Sequence, residues 1–207
     1  MTDSTRWRYY TAMTLDGYLA DDHDDLSWLL SQPIDENGPM NHSDFIGDIG
    51  AIVMGATTYQ WLLENELGLL ENELGLLENE LGLLDNELAQ GRPWPYTVPT
   101  FLFTHRALDP VSATIRVVSG DPSSLRADID DAAAGKDVWI VGGGGLAAQF
   151  ARAGMLDEII VSIAPVTLGS GRPLFTEAFD LTLVDYARNE AFLCARYEVV
   201  GPRDPVR

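Results

Sequence analysis

The stretch VWIVGGGGLAAQF, residues 138–150, places four consecutive glycines between an apolar run and a helix-forming segment. DVWIVGGGG (137–145) reads as a buried strand ending in glycines, and LAAQFARAGML reads as the helix that follows. Glycine lets backbone N–H groups approach a ligand closely and adopt positive φ. A helix N-terminus adds a partial positive charge. Together they form a phosphate cradle, although glycine-rich strand-to-helix turns also serve packing alone. This is not the Rossmann fingerprint: it comes late in the chain, and no acidic ribose-binding residue ends a following strand.

Outward from this turn, strands and helices alternate. WRYYTAM (7–13) predicts a first strand, closed by the turn signal LDG. GAIVMG (50–55) is a buried strand, and TTYQWLL starts a helix from Thr57. VPTFLFT (98–104) and TIRVVS (114–119) predict strands, and 121–134 a helix with Asp121 as N-cap and Pro122 in its first turn. DEIIVSIAPV (157–166) is a further strand, and 181–200 a hairpin turning near Asn189. This order predicts an α/β fold: a mostly parallel central sheet with helices on both faces and an antiparallel C-terminal edge. No Gly/Ser-rich linker divides residues 1–207, which predicts one domain.

The 207 residues are 46% hydrophobic and 22% charged, as in an ordinary globule, with a formal net charge of −19. That charge disfavours nucleic acid and anionic membranes as partners. Cys194 stands alone, so neither a disulfide framework nor a cysteine zinc site is expected within one chain. The N-terminal stretch has no apolar run after a basic segment, and no run approaches the roughly 20 residues of a membrane span. The expectation is a cytoplasmic protein. The run DDHDD, near His42, has no partner at metal-ligand spacing and reads as a solvated loop, so no metal is expected.

Several segments together resemble the dihydrofolate reductase-like superfamily, and most closely its RibD C-terminal-like branch, the reductase domain of riboflavin biosynthesis. They are AMTLDGYLA (12–20), Trp28, AIVMGATTYQWL (51–62), FLFTHR (101–106), VWIVGGGGLAAQF and LDEIIVSIAPVTLGSGRPLF (156–175), in the family's order. The resemblance implies an NAD(P)H-dependent reductase acting on a small heterocycle or conjugated imine or carbonyl, of pterin, pyrimidine or flavin-precursor type. It implies that Gly142, Gly143, Gly144, Gly145 and Leu146 receive the cofactor pyrophosphate, with a cis Gly142–Gly143 bond. Gly55, Thr57 and Thr58 match the family's G-R-x-T motif at the next helix start. Thr104, His105 and Arg106 match the loop at the adenosine end, and Ala12, Leu19 and Ala20 the backbone lining the nicotinamide. Trp28 and Arg172 are the substrate-side candidates, and residues 29–48 the expected pocket segment. Relatives pair through sheet edges or strands, which implies a homodimer.

Two departures matter. Ala56 stands where the family commonly has the arginine that meets the NADPH 2′-phosphate. Arg106 or His105 could replace it, since guanidinium binds phosphate bidentately; NADPH is expected on family grounds, with NADH possible. Pro33 stands where true dihydrofolate reductases carry a helix carboxylate, which argues against folate reduction. The proton that accompanies hydride transfer has as candidates Asp16, Asp24, Asp35, Asp44 and Ser162, or solvent; Asp16, in LDG, also suits a purely local turn role. A second reading is a non-catalytic nucleotide-binding or interaction module.

ENELGLLENELGLLENELGLLDNELAQG (64–91) repeats a seven-residue unit four times, with eight acidic and no basic residues. Its leucines at 63, 67, 70, 74, 77, 81, 84 and 88 follow a heptad pattern. It predicts a helical insertion at about 64–88 that continues the helix begun at Thr57. Glutamates at both e and g, with no lysine to answer them, argue against a simple two-stranded zipper. The tandem identity reads as a recent expansion within a reductase domain; in the module reading the same segment supplies an assembly surface.

Overall fold

The structure is a computed structural model and describes residues 5–63 and 94–204. The predicted heptad helix lies outside the described residues. Strand β1 (Trp7–Thr14) leads through β2 (Tyr18–Ala20) and the short helices α1 (Ser27–Leu30) and α2 (His42–Gly47) to β3 (Ile49–Gly55) and α3 (Ala56–Leu62). Strands β4 (Thr100–Phe103) and β5 (Ile115–Val118) follow, then a 3-10 turn at Pro122–Leu125 and α4 (Arg126–Ala133). Next come β6 (Asp137–Gly142), α5 (Gly144–Arg152), β7 (Glu158–Ala164), β8 (Arg172–Pro173), β9 (Phe179–Asn189) and β10 (Phe192–Pro202).

Eight strands make one sheet in the order β5-β4-β3-β6-β1-β7-β10-β9, and β2 pairs with β8 in a separate ribbon. The pairs β4–β5, β3–β4, β3–β6, β1–β6 and β1–β7 are parallel. The pairs β7–β10 and β9–β10 are antiparallel. This is the predicted fold class. The C-terminal hairpin turns at Glu190, beside Asn189, whose side chain accepts from Asp35 N–H and donates to Asp35 O, both at 3.0 Å. The sequence pattern missed β2, β8, α1 and α2, which are too short to show periodicity. Asp121 caps its neighbour Ser123, but the first turn is 3-10 rather than α.

Burial on β3 shows how the layers form. Ala51, Ile52, Val53 and Met54 are all fully buried, each large aliphatic chain contributing about 1.5–3 kcal/mol by leaving water. Alternation sends them to opposite faces. Ala51 and Val53 join Phe150, Ala147 and Ile129 in one core layer, while Ile52 and Met54 join Tyr59, Leu62 and Phe45 in the other. Thus α4 and α5 cover one face, and α2 and α3 the other.

Beyond the helices, the second face is closed by ions. Glu158, 1% exposed, accepts from Arg8 Nε at 2.8 Å and Arg6 Nη2 at 2.9 Å. A buried carboxylate is tolerable only with such partners.

Candidate active site

The crevice follows from the topology. Neighbouring strands β3 and β6 end at the same edge of the sheet, in register to Met54 and Gly142. The helix after β3 goes to one face and the helix after β6 to the other. Such a reversal leaves an opening outside the carboxyl ends of the strands, where ligands bind in open α/β sheets. The main cleft lies there, with a volume of about 620 Å³. It is walled by both turns: Gly55 to Thr58 on one side, Val141 to Leu146 on the other.

The glycines of the second turn do different things. The Gly142–Gly143 peptide is cis, as the resemblance implied. Gly143 is exposed, and a side chain there would meet nothing within 4 Å. No side chain caps the start of α5, so its leading N–H groups are left to a ligand or water. Gly144 instead serves packing: a Cβ there would lie 2.3 Å from Pro173 O and 2.5 Å from Leu174 O. The four glycines are therefore partly cradle and partly close approach.

Ala12, Leu19, Ala20, Gly55, Thr57, Thr58, Gly142, Gly143, Gly144, Gly145, Leu146, Asp24 and Arg172 all line this one cleft, although they come from five separate segments. Thr104, His105 and Arg106 do not line it. They follow β4 on the surface, where Thr104 Oγ1 accepts from Arg106 N–H at 3.0 Å. Trp28 does not line it either: it is 7% exposed and packs with Ala164, Phe192 and Cys194. Of residues 29–48, only Leu29 reaches the cleft. The expectation that this segment forms much of the pocket is corrected, because Phe45 stacks on Tyr10 at 4.4 Å and Tyr10 donates to Met40 O at 2.9 Å. Those contacts draw the segment to a separate recess of about 250 Å³ beside Arg8 and Arg196.

The proton-donor candidates are mostly occupied elsewhere. Asp16 accepts from Thr14 Oγ1 at 2.6 Å and from Gly169 N–H at 2.8 Å. The Thr14 hydroxyl first, then the Gly169 N–H, hold its carboxyl below the ordinary carboxylate range. It ties two loops together. Ser162 is buried against Cys194, with Oγ to Sγ at 3.4 Å. Asp44 accepts from Asn41 Nδ2 at 2.8 Å in the α2 cap, and Asp35 accepts from Asn37 N–H at 2.9 Å. Asp24 alone of these borders the cleft, and it is ion-paired to Arg172 at 2.6 Å. No cluster of metal-ligating side chains occurs among the described residues.

Sequence reading missed Leu26, Trp61, Pro173 and Thr176, which also line the cleft. Trp61 lies one turn beyond Thr57 on α3, so its spacing was a usable signal. Thr176 had none, because it reaches the cleft only through the chain crossing over Gly144.

Residues 99–192, which include the glycine turn, match the RibD C-terminal domain. A solved riboflavin-biosynthesis-type protein from Shewanella sp. PV-4 superposes with a TM-score of 0.70 at 21% identity, over 94% of this chain and 99% of that one. The chain carries a RibD C-terminal-like fold. YwjB of Bacillus subtilis (strain 168), an uncharacterized protein, is 25% identical over 168 residues, 81% of each chain. The Thermotoga maritima diaminohydroxyphosphoribosylaminopyrimidine deaminase/5-amino-6-(5-phosphoribosylamino)uracil reductase superposes at 0.56 and 13% identity, over 95% of this chain and 57% of that one. The RibD-like glycine turn and the G-x-T-T turn opposite it are thus the two walls of this cleft. No helix among the described residues is long and apolar enough to cross a membrane.

Proposed function

We propose that the protein is an NAD(P)H-dependent reductase that delivers hydride to a small heterocyclic or conjugated imine or carbonyl substrate. The observation that carries this reading is the cleft at the β3–β6 reversal, backed by a helix start with no side-chain cap and by glycines that leave the main chain open. Its volume falls in the range of about 300–1,000 Å³ usual for small-molecule sites.

The residues present fit a dinucleotide. The N–H groups of Gly143, Gly144 and Gly145 and the hydroxyls of Thr57 and Thr58 would hold its pyrophosphate, and the backbone of Ala12, Leu19 and Ala20 its nicotinamide; the Leu146 N–H donates to Gly143 O at 3.0 Å, so Leu146 contributes only its side chain to the wall. When bound, the cofactor supplies the hydride. The chain's own contribution is positional: Leu19, Leu26, Leu29 and Trp61 form apolar walls that exclude water from a flat ring. Among the described residues no unpaired carboxyl borders the cleft, so the accompanying proton comes from solvent. NADPH is the preferred donor in this reading, with NADH a second choice because Ala56 provides no cation.

Self-association belongs to the same proposal. The outer face of the C-terminal hairpin exposes Leu183, Tyr186 and Leu193 at 51%, 68% and 49%. Asp185 and Glu198 pair in the alternate register and point the other way. Arg188, opposite Leu193, shares that face; a mainly apolar face with one guanidinium on a chain of charge −19 suits a second copy of that acidic chain. The cytoplasm, where reduced nicotinamide nucleotides are available, is the compartment this reading requires.

The test is titration of the purified chain with NADPH and NADH, followed through tryptophan fluorescence since Trp61 borders the cleft, then cofactor oxidation over pterins, pyrimidines and flavin precursors. No binding up to about millimolar cofactor, roughly 4 kcal/mol of affinity, ends the proposal. Tight binding without turnover favours the nucleotide-binding module, a reading that the absence of an unpaired acid among the described residues of the cleft also favours.

A further inference from the structure

The mouth of the cleft carries an unusual charge arrangement. Among the described residues that line it, Arg172 is the one basic side chain and Asp24 the one acidic side chain. Arg172 grips Asp24 with both arms of its fork, Nε to Oδ1 at 2.6 Å and Nη2 to Oδ2 at 3.1 Å. Nη2 also lies 3.4 Å from Asp22 O, and the Asp22 carboxylate accepts from Ser170 Oγ at 2.6 Å. The Asp21 carboxylate accepts from the N–H groups of His23 and Asp25, which folds the loop back on itself. The Asp24 hydrogen bond, and the fields of Asp24, Asp22 and Asp21, push Arg172 above its ordinary value, so it stays charged at any pH of interest. One carboxylate, that of Asp24, thus contacts the guanidinium, and those of Asp22 and Asp21 act on it through their fields, for a local charge of −2.

We propose that the cleft selects substrates without a phosphate group, as neutral or cationic planar heterocycles, and that Asp22 and Asp24 around Arg172 determine that specificity. This rests on the reductase reading above. Phosphoryl groups are held by unspent donors, above all the bidentate guanidinium fork. Here that fork already holds a carboxylate. A phosphate arriving beside the pair meets net negative charge, and one that displaces Asp24 leaves three carboxylates against its own charge. The helix start at Gly144 offers no alternative, because the cofactor pyrophosphate occupies it in this reading. The remaining walls, Leu19, Leu26, Leu29 and Trp61, suit an uncharged ring. The Thermotoga maritima relative is named for a phosphoribosyl substrate; this chain's cleft mouth is arranged against one.

The experiment uses the full chain with saturating NADPH and two matched pairs of probes: 5-amino-6-ribosylaminouracil against its 5′-phosphate, and 6-hydroxymethylpterin against its phosphate. The uncharged member of a pair is expected to bind and turn over with at least about tenfold advantage, some 1.4 kcal/mol of discrimination. Asp24→Asn and, separately, Asp22→Asn should narrow that ratio by about threefold or more, and Arg172→Gln should widen it, as expected for changes of one unit charge near the site. Reading a ratio within each variant removes any general loss of folded protein. Equal or tighter binding of the phosphorylated members, ratios unmoved by all three variants, or failure of all four probes in protein that binds NADPH would each overturn the proposal. Failure to bind NADPH would instead sink the reductase reading beneath it.

Discussion

The carbonyl oxygen of Pro173 lies 2.3 Å from the point where a side chain at Gly144 would begin. The chain after β8 thus crosses directly over the first residue of α5, and it can do so only because that residue is glycine.

Gly144→Ala should therefore be destabilising by about 1–3 kcal/mol, the usual cost of forcing a methyl into a filled space. Gly145→Ala, where the nearest atom is Thr176 Cγ2 at an ordinary 3.8 Å, should leave stability equal or raise it by up to about 1 kcal/mol through helix propensity. Thermal unfolding of the two variants beside the parent protein checks the contrast. Equal melting temperatures for all three would show that the crossing chain simply moves aside.

Asp16 staples the turn after β1 to the loop that precedes β8. Its carboxyl sits below the ordinary range through the Thr14 hydroxyl and the Gly169 N–H. A lowered folded-state value means the staple contributes fully above the ordinary carboxylate value of about 4 and is lost as pH falls through the lower folded one. Asp16→Asn should thus lower the melting temperature at neutral pH, with the difference from the parent shrinking as the pH is taken below the ordinary carboxylate value of about 4. A gap that is constant with pH would count against an ionised staple.

Ala56 opens α3 and borders the cleft. Restoring a cation with Ala56→Arg should shift preference toward NADPH over NADH by about tenfold, through a charge-assisted contact with the 2′-phosphate. Dissociation constants for both nucleotides decide it. An equal gain for the two would indicate general attraction to the diphosphate rather than recognition of the extra phosphate.

Leu63 and Trp94 are the described residues that flank the heptad segment. Tyr59 and Trp94 have ring centroids 5.5 Å apart, and Leu62 and Trp94 share one buried layer. The two points of attachment are thus anchored within the same core. Removing residues 64–84 should preserve cofactor affinity and stability, since shortening a connection between close anchors changes closure entropy by only about 0.6 kcal/mol per halving. A well-folded deletion variant that no longer binds NADPH would assign the repeat a part in the site.

The centre of the sheet was legible in the sequence because β3, β4, β6 and β7 are buried on both faces. Runs such as AIVM and VWIV leave no period to misread, and glycines mark their ends. The glycine turn, the hairpin at Asn189 and the G-x-T-T helix start were likewise local signals. What local pattern could not supply was company. Trp28 matched a pocket wall and proved to be core, while Phe45 drew its whole segment away from the cleft by stacking on Tyr10.

The sequence by itself determined which segments become strands and helices, and that two turns could face a ligand, because backbone propensity and glycine freedom act over a few residues. Only the tertiary structure decided that those turns meet. The crossovers after β3 and β6 go to opposite faces, and the chain at Pro173 closes over Gly144 to bring Arg172 against Asp24. Met54 and Gly142 stand 88 positions apart and Asp24 and Arg172 148, separations at which nothing but the packing of the whole sheet sets the distance.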